Sequence, residues 1–210
     1  MRVDDLSFSD PQQNLTYDDE LLRHADKEGV GEVLRFWQSP SYFVVLGRTC
    51  DEAVDVDKSA CVAAGIPVLR RSSGGGTVLQ GPGCLNFSLV LSRSARSELN
   101  SITCSYAYIL NKVVAVLGEC GVAAEFRPVC DLVAPAGERK FSGNAQRRGR
   151  EYVLHHGTIL YGLDLALIPC YLKMPLRTPA YRRDRSHEDF VMNIPLDIPA
   201  FKSAMARVWC

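Results

Sequence analysis

The sequence carries no surplus of charge of either sign. Its 210 residues include 24 Lys and Arg and 24 Asp and Glu, so the formal net charge at pH 7 is zero. Nucleic acids and anionic membranes attract proteins whose surfaces are strongly basic. We therefore expect no nucleic-acid partner, and any anion-binding site must be built locally from a few residues.

The chain also lacks a long apolar run and a basic-then-apolar segment after Met1. A membrane-spanning helix needs about 20 consecutive, mostly apolar residues, and the apolar runs here are far shorter. A secretory leader would show a basic start followed by an apolar stretch. We therefore expect no membrane partner and a cytoplasmic location.

Paired cysteine motifs are missing too, although cysteine itself is frequent. The eight cysteines stand at positions 50, 61, 84, 104, 120, 130, 170 and 210. None forms a CxxC pair, and none lies at a useful metal-ligand spacing from a histidine. Zinc sites and disulfide frameworks need such regular spacings. The pattern predicts free thiols in a reducing compartment.

What the chain does contain is an ordinary globular composition, with 47% hydrophobic and 23% charged residues. No repeat or low-complexity tract divides it, so residues 1–210 are predicted to form a single domain. Helices are predicted after Thr16, from Asp57 to Gly65 and from about Ile102 to Gly121. Strands are predicted in EVLRFW, YFVVLG, PVLR, CLNFSLVL, AAEFR, DLVAP, KFSGNAQ and YVLHHGTIL. Because the strands cluster around a few helices without regular βαβ alternation, the predicted fold class is α+β, with a mixed β-sheet flanked by helices.

The first candidate site is the glycine-rich stretch at residues 70–80, which reads RRSSGGGTVLQ. Successive glycines can adopt positive φ values and turn their N–H groups toward one anion. Arg70 and Arg71 arrive from a strand, so their side chains alternate and only one needs to face the site. A flexible hairpin turn is the alternative. The stretch is neither a Walker loop nor a GxGxxG dinucleotide fingerprint.

The second candidate site is the stretch at residues 138–147, ERKFSGNAQR, followed by HHGT at residues 155–158. Lys140 stands near a Ser-Gly pair, where its ammonium can lie along an anionic ligand and offset charge that develops on it. A solvated strand lysine is the alternative. His155 and His156 alternate in a strand, so at most one of them faces a given cleft.

Taken together and in this order, the motifs resemble the lipoate-protein ligase family over roughly residues 14–165. The matching segments are RRSSGGGTVLQGPGCLNFS, KFSGNAQ and HHGTIL, with LRFW and VVLGR upstream. The resemblance implies the mixed α/β catalytic domain that these ligases share with biotin ligases and class II aminoacyl-tRNA synthetases. It also implies a ligase without the additional C-terminal domain of many bacterial members.

The reaction that the resemblance implies has two steps. Lipoate, or octanoate, and Mg-ATP give an acyl-adenylate, and a lysine of a lipoyl-accepting protein domain then attacks it. ATP and Mg²⁺ are co-substrates on this interpretation, and no tightly bound cofactor is expected. The acceptor would belong to a 2-oxoacid dehydrogenase or to a glycine-cleavage H-type protein. Either a separate small accessory subunit would assist the reaction, or this protein would carry out only part of it.

The resemblance also implies roles for individual residues. Lys140 matches the family's lysine, which contacts the carboxylate and the α-phosphate oxygens and is the expected catalytic residue. Asn86 would orient the nucleotide end, and His156 would line the wall opposite the acyl chain. The residues expected to bind the substrate or the adenylate are Arg70, Arg71, Ser73, Gly74, Gly75, Gly76, Thr77, Val78, Asn86, Ser142, Gly143, Ala145, His156, Gly157 and Thr158.

The sequence departs from the family pattern after the glycine loop. The ligases commonly read Asp-x-Gly-Asn-Leu-Asn there, and this chain reads GPGCLN at residues 81–86. An acidic side chain and an amide are missing, so Asp131 becomes the candidate for a carboxylate close to Mg²⁺. The arginines at 182, 183 and 185 could meet an acidic acceptor domain, and a solvated loop is the alternative.

Two other functions stay open at the level of the sequence. An octanoyl or lipoyl transferase would work without ATP through a cysteine thioester, and Cys130, ten residues before Lys140, is the candidate nucleophile. A small buried residue at the start of a strand is the alternative explanation of Cys130. A binding module without catalysis, for lipoate or an acyl-carrier protein, is the third possibility.

Overall fold

The computed structural model describes residues 1–176 and 178–210. Within these ranges the chain forms ten strands and seven α-helices. The strands are β1 (Arg2–Asp5), β2 (Val33–Trp37), β3 (Phe43–Leu46), β4 (Val68–Arg70), β5 (Val78–Gln80), β6 (Cys84–Ser92), β7 (Glu125–Arg127), β8 (Asp131–Ala134), β9 (Arg139–Arg148) and β10 (Tyr152–Leu160). The helices are α1 (Pro11–Glu28), α2 (Glu52–Asp55), α3 (Lys58–Ala63), α4 (Ile102–Glu119), α5 (Ile168–Tyr171), α6 (His187–Phe190) and α7 (Ile198–Trp209).

The strands form two sheets. The large sheet has seven strands in the order β1-β2-β6-β10-β9-β8-β7, and the small sheet has three in the order β4-β3-β5. Each sheet is mixed, because β1 pairs with β2 and β3 pairs with β4 in parallel, whereas the other pairs are antiparallel. The predicted α+β class with a mixed sheet is confirmed.

The main core lies between the large sheet and helices α4 and α7. In α4 the buried side chains recur at helical spacing, with Ile109, Val113 and Val116 fully buried. They pack against sheet residues such as Phe87 and Phe141 in one continuous cluster. Ser101 caps the helix by accepting a hydrogen bond from the Cys104 N–H. The helix predicted from 102 to 121 is therefore confirmed to within two residues at its C-terminal end.

Helix α1 starts earlier than the sequence pattern predicted. Asp10 is the N-cap and accepts from the backbone N–H of Gln12, while Pro11 occupies the first turn, where its missing N–H is not needed. Thr16 lies inside the helix, so the prediction that the helix begins there was wrong. Gly29 ends the helix in the left-handed conformation, with a φ of 63°.

Six of these elements were not predicted from the sequence: strands β1 and β5, the short helices α2, α5 and α6, and helix α7. Strands β1 and β5 have only four and three residues, too few to show a period. Helix α7 begins after the N-cap Asp197 and buries Phe201 and Met205 in the main core.

In the described ranges, no helix combines the length and the apolar character needed to cross a lipid bilayer.

Candidate active site

A cavity of about 760 Å³ opens on the face of the large sheet that α4 and α7 leave uncovered. The small sheet and the glycine-rich loop between β4 and β5 form one wall, and the segment after β10 forms another. One row of paired residues crosses five strands of the cavity floor, running Trp37, Asn86, Thr158, Gly143 and Asp131. Neighbouring residues of this row lie on adjacent strands, about 4.8 Å apart. The row therefore gives the position of each residue along the cavity floor.

Lys140 lies at the Asp131 end of this row. Its Nζ is 2.7 Å from the Asp131 Oδ1, and the Tyr181 hydroxyl donates to the Asp131 Oδ2 at 2.6 Å. A side chain at Gly143 would bring a Cβ within 3.1 Å of the Lys140 Cε and Nζ, so the glycine leaves room for the lysine. Burial, followed by the Asp131 charge, raises the pKa of the Tyr181 hydroxyl. The hydroxyl therefore stays protonated and holds the carboxylate that pairs with Lys140.

Arg71 holds the glycine loop. Its guanidinium donates to the Ser73 hydroxyl and to the carbonyl oxygens of Gly74 and Gly76. Gly75 has a φ of 89°, which disfavours any residue with a side chain. Within the described part of the chain, the N–H groups of Gly74, Gly75 and Gly76 donate to no acceptor. The loop therefore offers free backbone donors at the edge of the cavity, as an anion-binding nest does.

The two neighbouring arginines separate as the alternation predicted. Arg71 lines the cavity, whereas Arg70 points away from it. The Arg70 guanidinium donates to the carbonyl oxygens of Gly47, Arg48 and Cys50. Arg70 thus stabilises the loop after β3. It does not line the cavity, so its expected contact with the substrate is not seen in this structure.

The two neighbouring histidines also separate. His156 lies on the cavity wall with its Nε2 2.6 Å from the Ser73 hydroxyl oxygen. Burial, with the nearby Arg71 charge as a second cause, lowers the pKa of His156 to about 3. His155 is buried on the other face, stacked on Phe87, and burial lowers its pKa to about 3 as well. Both imidazoles are neutral near pH 7, so His156 fixes Ser73 and adds no charge to the site.

Cys130 lies on the cavity wall close to Asp131. Burial, followed by the Asp131 charge, raises the pKa of its thiol above the ordinary value. A cysteine nucleophile reacts as the thiolate, so a raised pKa opposes that role. The cysteine's carbonyl accepts a hydrogen bond of 2.9 Å from the Asn144 side chain, which fixes the start of β8.

The donor set does not suit a resident metal ion. Across residues 1–176 and 178–210, no three His, Cys, Asp or Glu side chains form a group that could hold one. Both carboxylate oxygens of Asp131 are already engaged, one by Lys140 and the other by Tyr181. We therefore derive no step through a metal ion held by the protein, and Asp131 as a ligand near Mg²⁺ stays a prediction.

Most of the residues singled out from the sequence meet in this cavity. Those that line it are Arg71, Gly75, Gly76, Thr77, Val78, Asn86, Cys130, Asp131, Lys140, Ser142, Gly143, Ala145, His156, Gly157 and Thr158. Arg70, Ser73 and Gly74 are not among the residues that line the cavity. Asn86 lies beside Trp37, at the opposite end of the floor from Asp131.

The sequence analysis missed one wall of the site, which residues of the ranges 172–176 and 178–191 form after β10. Tyr181, Arg182 and Phe190 belong to it, and only the arginine run drew attention in the sequence. Arg182 is buried, and it packs with Arg185 against the Phe190 ring. Arg185 donates to the backbone carbonyls of residues 137, 138, 181 and 182. The alternative of a solvated loop is therefore wrong for these two arginines.

Two further polar side chains of the wall were also missed. Asp55, in α2, accepts a hydrogen bond of 2.5 Å from the Thr77 hydroxyl and lines the cavity. Gln80, at the end of β5, donates to the Thr158 hydroxyl at 2.6 Å. Asp55 stands in no motif, and Gln80, although it ends the stretch at residues 70–80, was not among the residues expected to bind the substrate.

Comparison with known proteins gives a consistent result. The family described as the lipoyl protein ligase A/B catalytic domain matches residues 10–207. A probable lipoate-protein ligase A of Mycoplasma pneumoniae is 29% identical over 94% of this chain and 58% of its own length. The mitochondrial lipoyl amidotransferase of Homo sapiens is 32% identical over 80% of this chain and 42% of its own. The chain spans about half the length of the curated relatives it matches.

Solved structures agree with the fold. A bi-partite lipoate protein ligase from Thermoplasma acidophilum, described with its E2 lipoyl domain, superposes with a TM-score of 0.84 at 28% identity, covering 98% of this chain and 80% of that one. A lipoate-protein ligase A bound with ATP gives 0.79 at 27% identity, covering 98% and 82%. The biotin protein ligase of Leishmania major shares the fold alone, at 0.53 and 12% identity over 98% and 72%. The chain therefore belongs to the lipoyl protein ligase A/B catalytic domain family.

Proposed function

We propose that this protein is a lipoate-protein ligase, and that residues 1–210 act as one catalytic domain. It activates lipoate with ATP to form lipoyl-AMP and transfers the lipoyl group to a lysine of a lipoyl-accepting domain. The observation that carries the proposal is the position of the Lys140–Asp131 pair. It stands in one cavity with a glycine loop that offers free N–H groups and with an apolar arm.

The apolar arm fits the acyl tail of lipoate. It lies at the Trp37 end of the floor, where Leu15, Trp37 and Val45 line the cavity and pack with Phe43 in one hydrophobic cluster. Burial of an acyl chain there would contribute about 0.8 kcal/mol for each CH₂ group. The carboxylate of the substrate would then point toward Lys140, at the other end of the row.

The opposite end of the cavity fits the reacting groups. Lys140 and Asp131 lie there. The cavity as a whole is lined by four cationic side chains, Arg71, Lys140, Lys173 and Arg182, and by three acidic ones, Asp51, Asp55 and Asp131, in a chain of zero net charge. Lys140 and the glycine loop supply the donors for a substrate carboxylate and phosphates. The local surplus of donors matches the expectation that an anion site must be built locally.

In the first proposed step, a carboxylate oxygen of lipoate attacks the α-phosphorus of ATP. The bond from the α-phosphorus to the bridging oxygen breaks, and pyrophosphate leaves with the electron pair. Negative charge grows on the α-phosphate oxygens, and donors already aimed at it lower the barrier by about 2.7–4 kcal/mol each. Lys140 and the free N–H groups of the loop are the donors that this chain provides. Mg²⁺ enters only with ATP, as part of that substrate.

In the second proposed step, the amine of an acceptor lysine attacks the acyl carbon of lipoyl-AMP. The bond from that carbon to the phosphate oxygen breaks, AMP leaves, and the amine's surplus proton passes to solvent. His156 is a weak base because its pKa is lowered to about 3, so we assign it to holding Ser73 and the glycine loop in place.

The acceptor that we propose is the lipoyl domain of a 2-oxoacid dehydrogenase, with a glycine-cleavage H-type protein as a second acceptor. The similarity to a bi-partite ligase described with its E2 lipoyl domain supports this class of acceptor. The same similarity supports a separate accessory subunit, because a bi-partite enzyme divides its activity between two chains. The ATP-bound relative supports ATP as the activating substrate.

A lipoyl or octanoyl transferase is the second candidate function, favoured by the similarity to the human lipoyl amidotransferase. A thioester route would need Cys130 as the nucleophile. The raised thiol pKa and the neighbouring Asp131 carboxylate both oppose the thiolate that this route requires. We therefore prefer the ligase.

The test is modification of an acceptor domain, read as its intact mass. The pure protein is incubated with a lipoyl domain, lipoate and Mg-ATP, and in parallel with the domain and an octanoyl-carrier protein without ATP. We expect one lipoyl group to be added only with ATP, and Cys130→Ala to keep this activity. Modification without ATP that Cys130→Ala abolishes would establish the transferase. No modification in either reaction, even with cell extract added, would leave a binding module.

A further inference from the structure

The acyl arm contains a chain of hydrogen bonds that its apolar character does not explain. The Gln80 side-chain N–H donates to the Thr158 hydroxyl oxygen at 2.6 Å, and the Thr158 hydroxyl donates to the Asn86 Oδ1 at 2.6 Å. Thr158 thereby satisfies the amide nitrogen of Gln80 and the amide oxygen of Asn86. The orientation of both amides follows from this chain of bonds.

The other end of each amide has no partner. The Gln80 Oε1 and the Asn86 Nδ2 are buried and accept or donate no hydrogen bond within the described part of the chain. Gln80 is 7% exposed and Asn86 is 4% exposed, and both side chains line the cavity. Buried polar groups in folded proteins are nearly always hydrogen-bonded, so an unpaired acceptor and donor on a cavity wall indicate a ligand that completes them.

Strand pairing places both amides at the acyl end of the cavity. Asn86 pairs with Trp37 across β2 and β6, and Gln80 pairs with Phe43 across β3 and β5. Trp37 and Phe43 belong to the hydrophobic cluster of the apolar arm. Asp131, the partner of Lys140, stands three strands further along the floor from Asn86, or about 14 Å at 4.8 Å per strand. The two amides therefore face the far end of a substrate whose carboxylate lies near Lys140.

We propose that Gln80 and Asn86 make the acyl arm selective for a chain that carries sulfur at its far end, over a plain alkanoyl chain. This inference rests on the proposed function. Sulfur is a weak acceptor that the Asn86 N–H can bind, and a thiol of the reduced chain can donate to the Gln80 oxygen. A terminal alkyl group offers neither and leaves both amides unpaired. Asn86 is thereby assigned to the acyl end of the substrate, in place of the nucleotide end expected from the resemblance.

The size of the effect follows from what an unpaired group costs. Sites built to hydrogen-bond a substrate reject an analogue that lacks the bonding group, because the buried partners then stay unsatisfied. Sulfur forms weak hydrogen bonds, so we expect an effect of about tenfold in affinity, at the low end of the range for polar groups.

The experiment compares the binding of lipoate, its reduced dithiol form dihydrolipoate, and octanoate by calorimetry in the absence of ATP and acceptor. The wild-type protein should bind both sulfur-containing acids more tightly than octanoate. In Asn86→Leu, the dissociation constant of octanoate divided by that of lipoate should fall by about tenfold, and in Gln80→Met the dissociation constant of octanoate divided by that of dihydrolipoate should fall by about tenfold. Gln146→Met is the matched control, since Gln146 also has a buried side-chain oxygen without a partner but does not line the cavity. It should leave both ratios unchanged.

The outcomes separate this inference from the proposed function. If the acids bind but neither variant lowers its ratio, the selectivity assigned to the two amides is overturned and the acyl site stands. If none of the acids binds to the wild-type protein, the proposed function fails and the inference fails with it. Circular dichroism checks each variant for folding, and if Asn86→Leu does not fold, Gln80→Met decides the question alone.

Discussion

Successive residues of strand β10 face two different regions of the molecule, the core under α4 and α7 and the cavity. On the face covered by α4 and α7, His155 stacks on Phe87 among fully buried side chains. On the cavity face, His156 and Thr158 stand opposite the small residues Ala145 and Gly143 of β9. The covered face fills its space with large side chains, whereas the cavity face leaves its space open.

Stability and ligand binding thus depend on separate sets of residues within the same strands. Large apolar side chains on the covered face stabilise the fold through burial. On the cavity face, the glycine N–H groups, the Gln80 Oε1 and the Asn86 Nδ2 are left without protein partners in the described ranges. Groups of that kind weaken the fold unless a ligand completes them, so their presence indicates selection for binding.

The largest effects are expected from two substitutions on opposite faces of the sheet, Lys140→Ala and Ile109→Ala. Lys140→Ala removes the ammonium expected to meet the α-phosphate, so adenylate formation should fall by about 100- to 1000-fold. The Lys140 side chain is 27% exposed, and Asp131 keeps its bond from Tyr181. The free energy of unfolding should therefore change by only about 1 kcal/mol. The rate of pyrophosphate release measures adenylate formation, and equilibrium unfolding in urea measures the free energy of unfolding.

Ile109→Ala should show the opposite behaviour. Ile109 is fully buried in α4 against the covered face, and its truncation should cost about 2–5 kcal/mol of unfolding free energy. The protein that stays folded should keep its rate of adenylate formation. A large rate loss in Ile109→Ala, or a normal rate in Lys140→Ala, would contradict the separation of the two faces.

A smaller effect is expected on the pH dependence of stability, through His155 on the covered face. Burial lowers the pKa of His155 to about 3, whereas an unfolded histidine titrates near 6.5. The unfolded chain therefore binds more protons below pH 6.5, and the free energy of unfolding falls as the pH is lowered from there toward 3. From pH 7 to pH 5, His155 should account for a loss of about 2 kcal/mol.

Urea unfolding at both pH values, in the wild-type protein and in His155→Gln, measures this contribution. The variant lacks the titrating group, so it should lose less stability than the wild-type protein over the same interval. An equal loss in both proteins would show that His155 is not held neutral by its place in the core.

The smallest effect is expected for Tyr181→Phe. The change removes the hydroxyl that donates to Asp131 and keeps the ring packed on Phe190. Tyr181 acts through Asp131 on Lys140, so kcat should fall by about tenfold while the KM for lipoate stays unchanged. Tyr108→Phe, on the covered side against Trp209, should change neither constant. A rise in KM without a fall in kcat would contradict the positioning role of Tyr181.

Much of this arrangement was predictable because it depends on local rules. Alternation along a strand sends Arg70 and Arg71, and likewise His155 and His156, to opposite faces. Three glycines after a strand indicate a loop that some group approaches closely. These rules act within a few residues, so the class of fold and the glycine loop could be identified from the sequence, whereas Lys140 was singled out through the resemblance to the ligase family.

The rest depends on contacts between distant parts of the chain. Gln80 and Thr158 are 78 positions apart, and Tyr181 lies 50 positions from Asp131. No spacing within a motif reveals such pairs. The start of α1 was missed for a local reason, because Thr16 looked like a cap although the Asp10-Pro11 pair before it is the stronger helix start.

The proposed reaction requires this cavity to join lipoate to AMP. To test this, the protein is incubated with lipoate and Mg-ATP, without an acceptor, and lipoyl-AMP is measured by mass spectrometry in a single turnover. We expect lipoyl-AMP and an equal amount of pyrophosphate from the wild-type protein and from Cys130→Ala, and almost none from Lys140→Ala. Lipoyl transfer to an acceptor domain without any lipoyl-AMP, and without a need for ATP, would overturn the proposal.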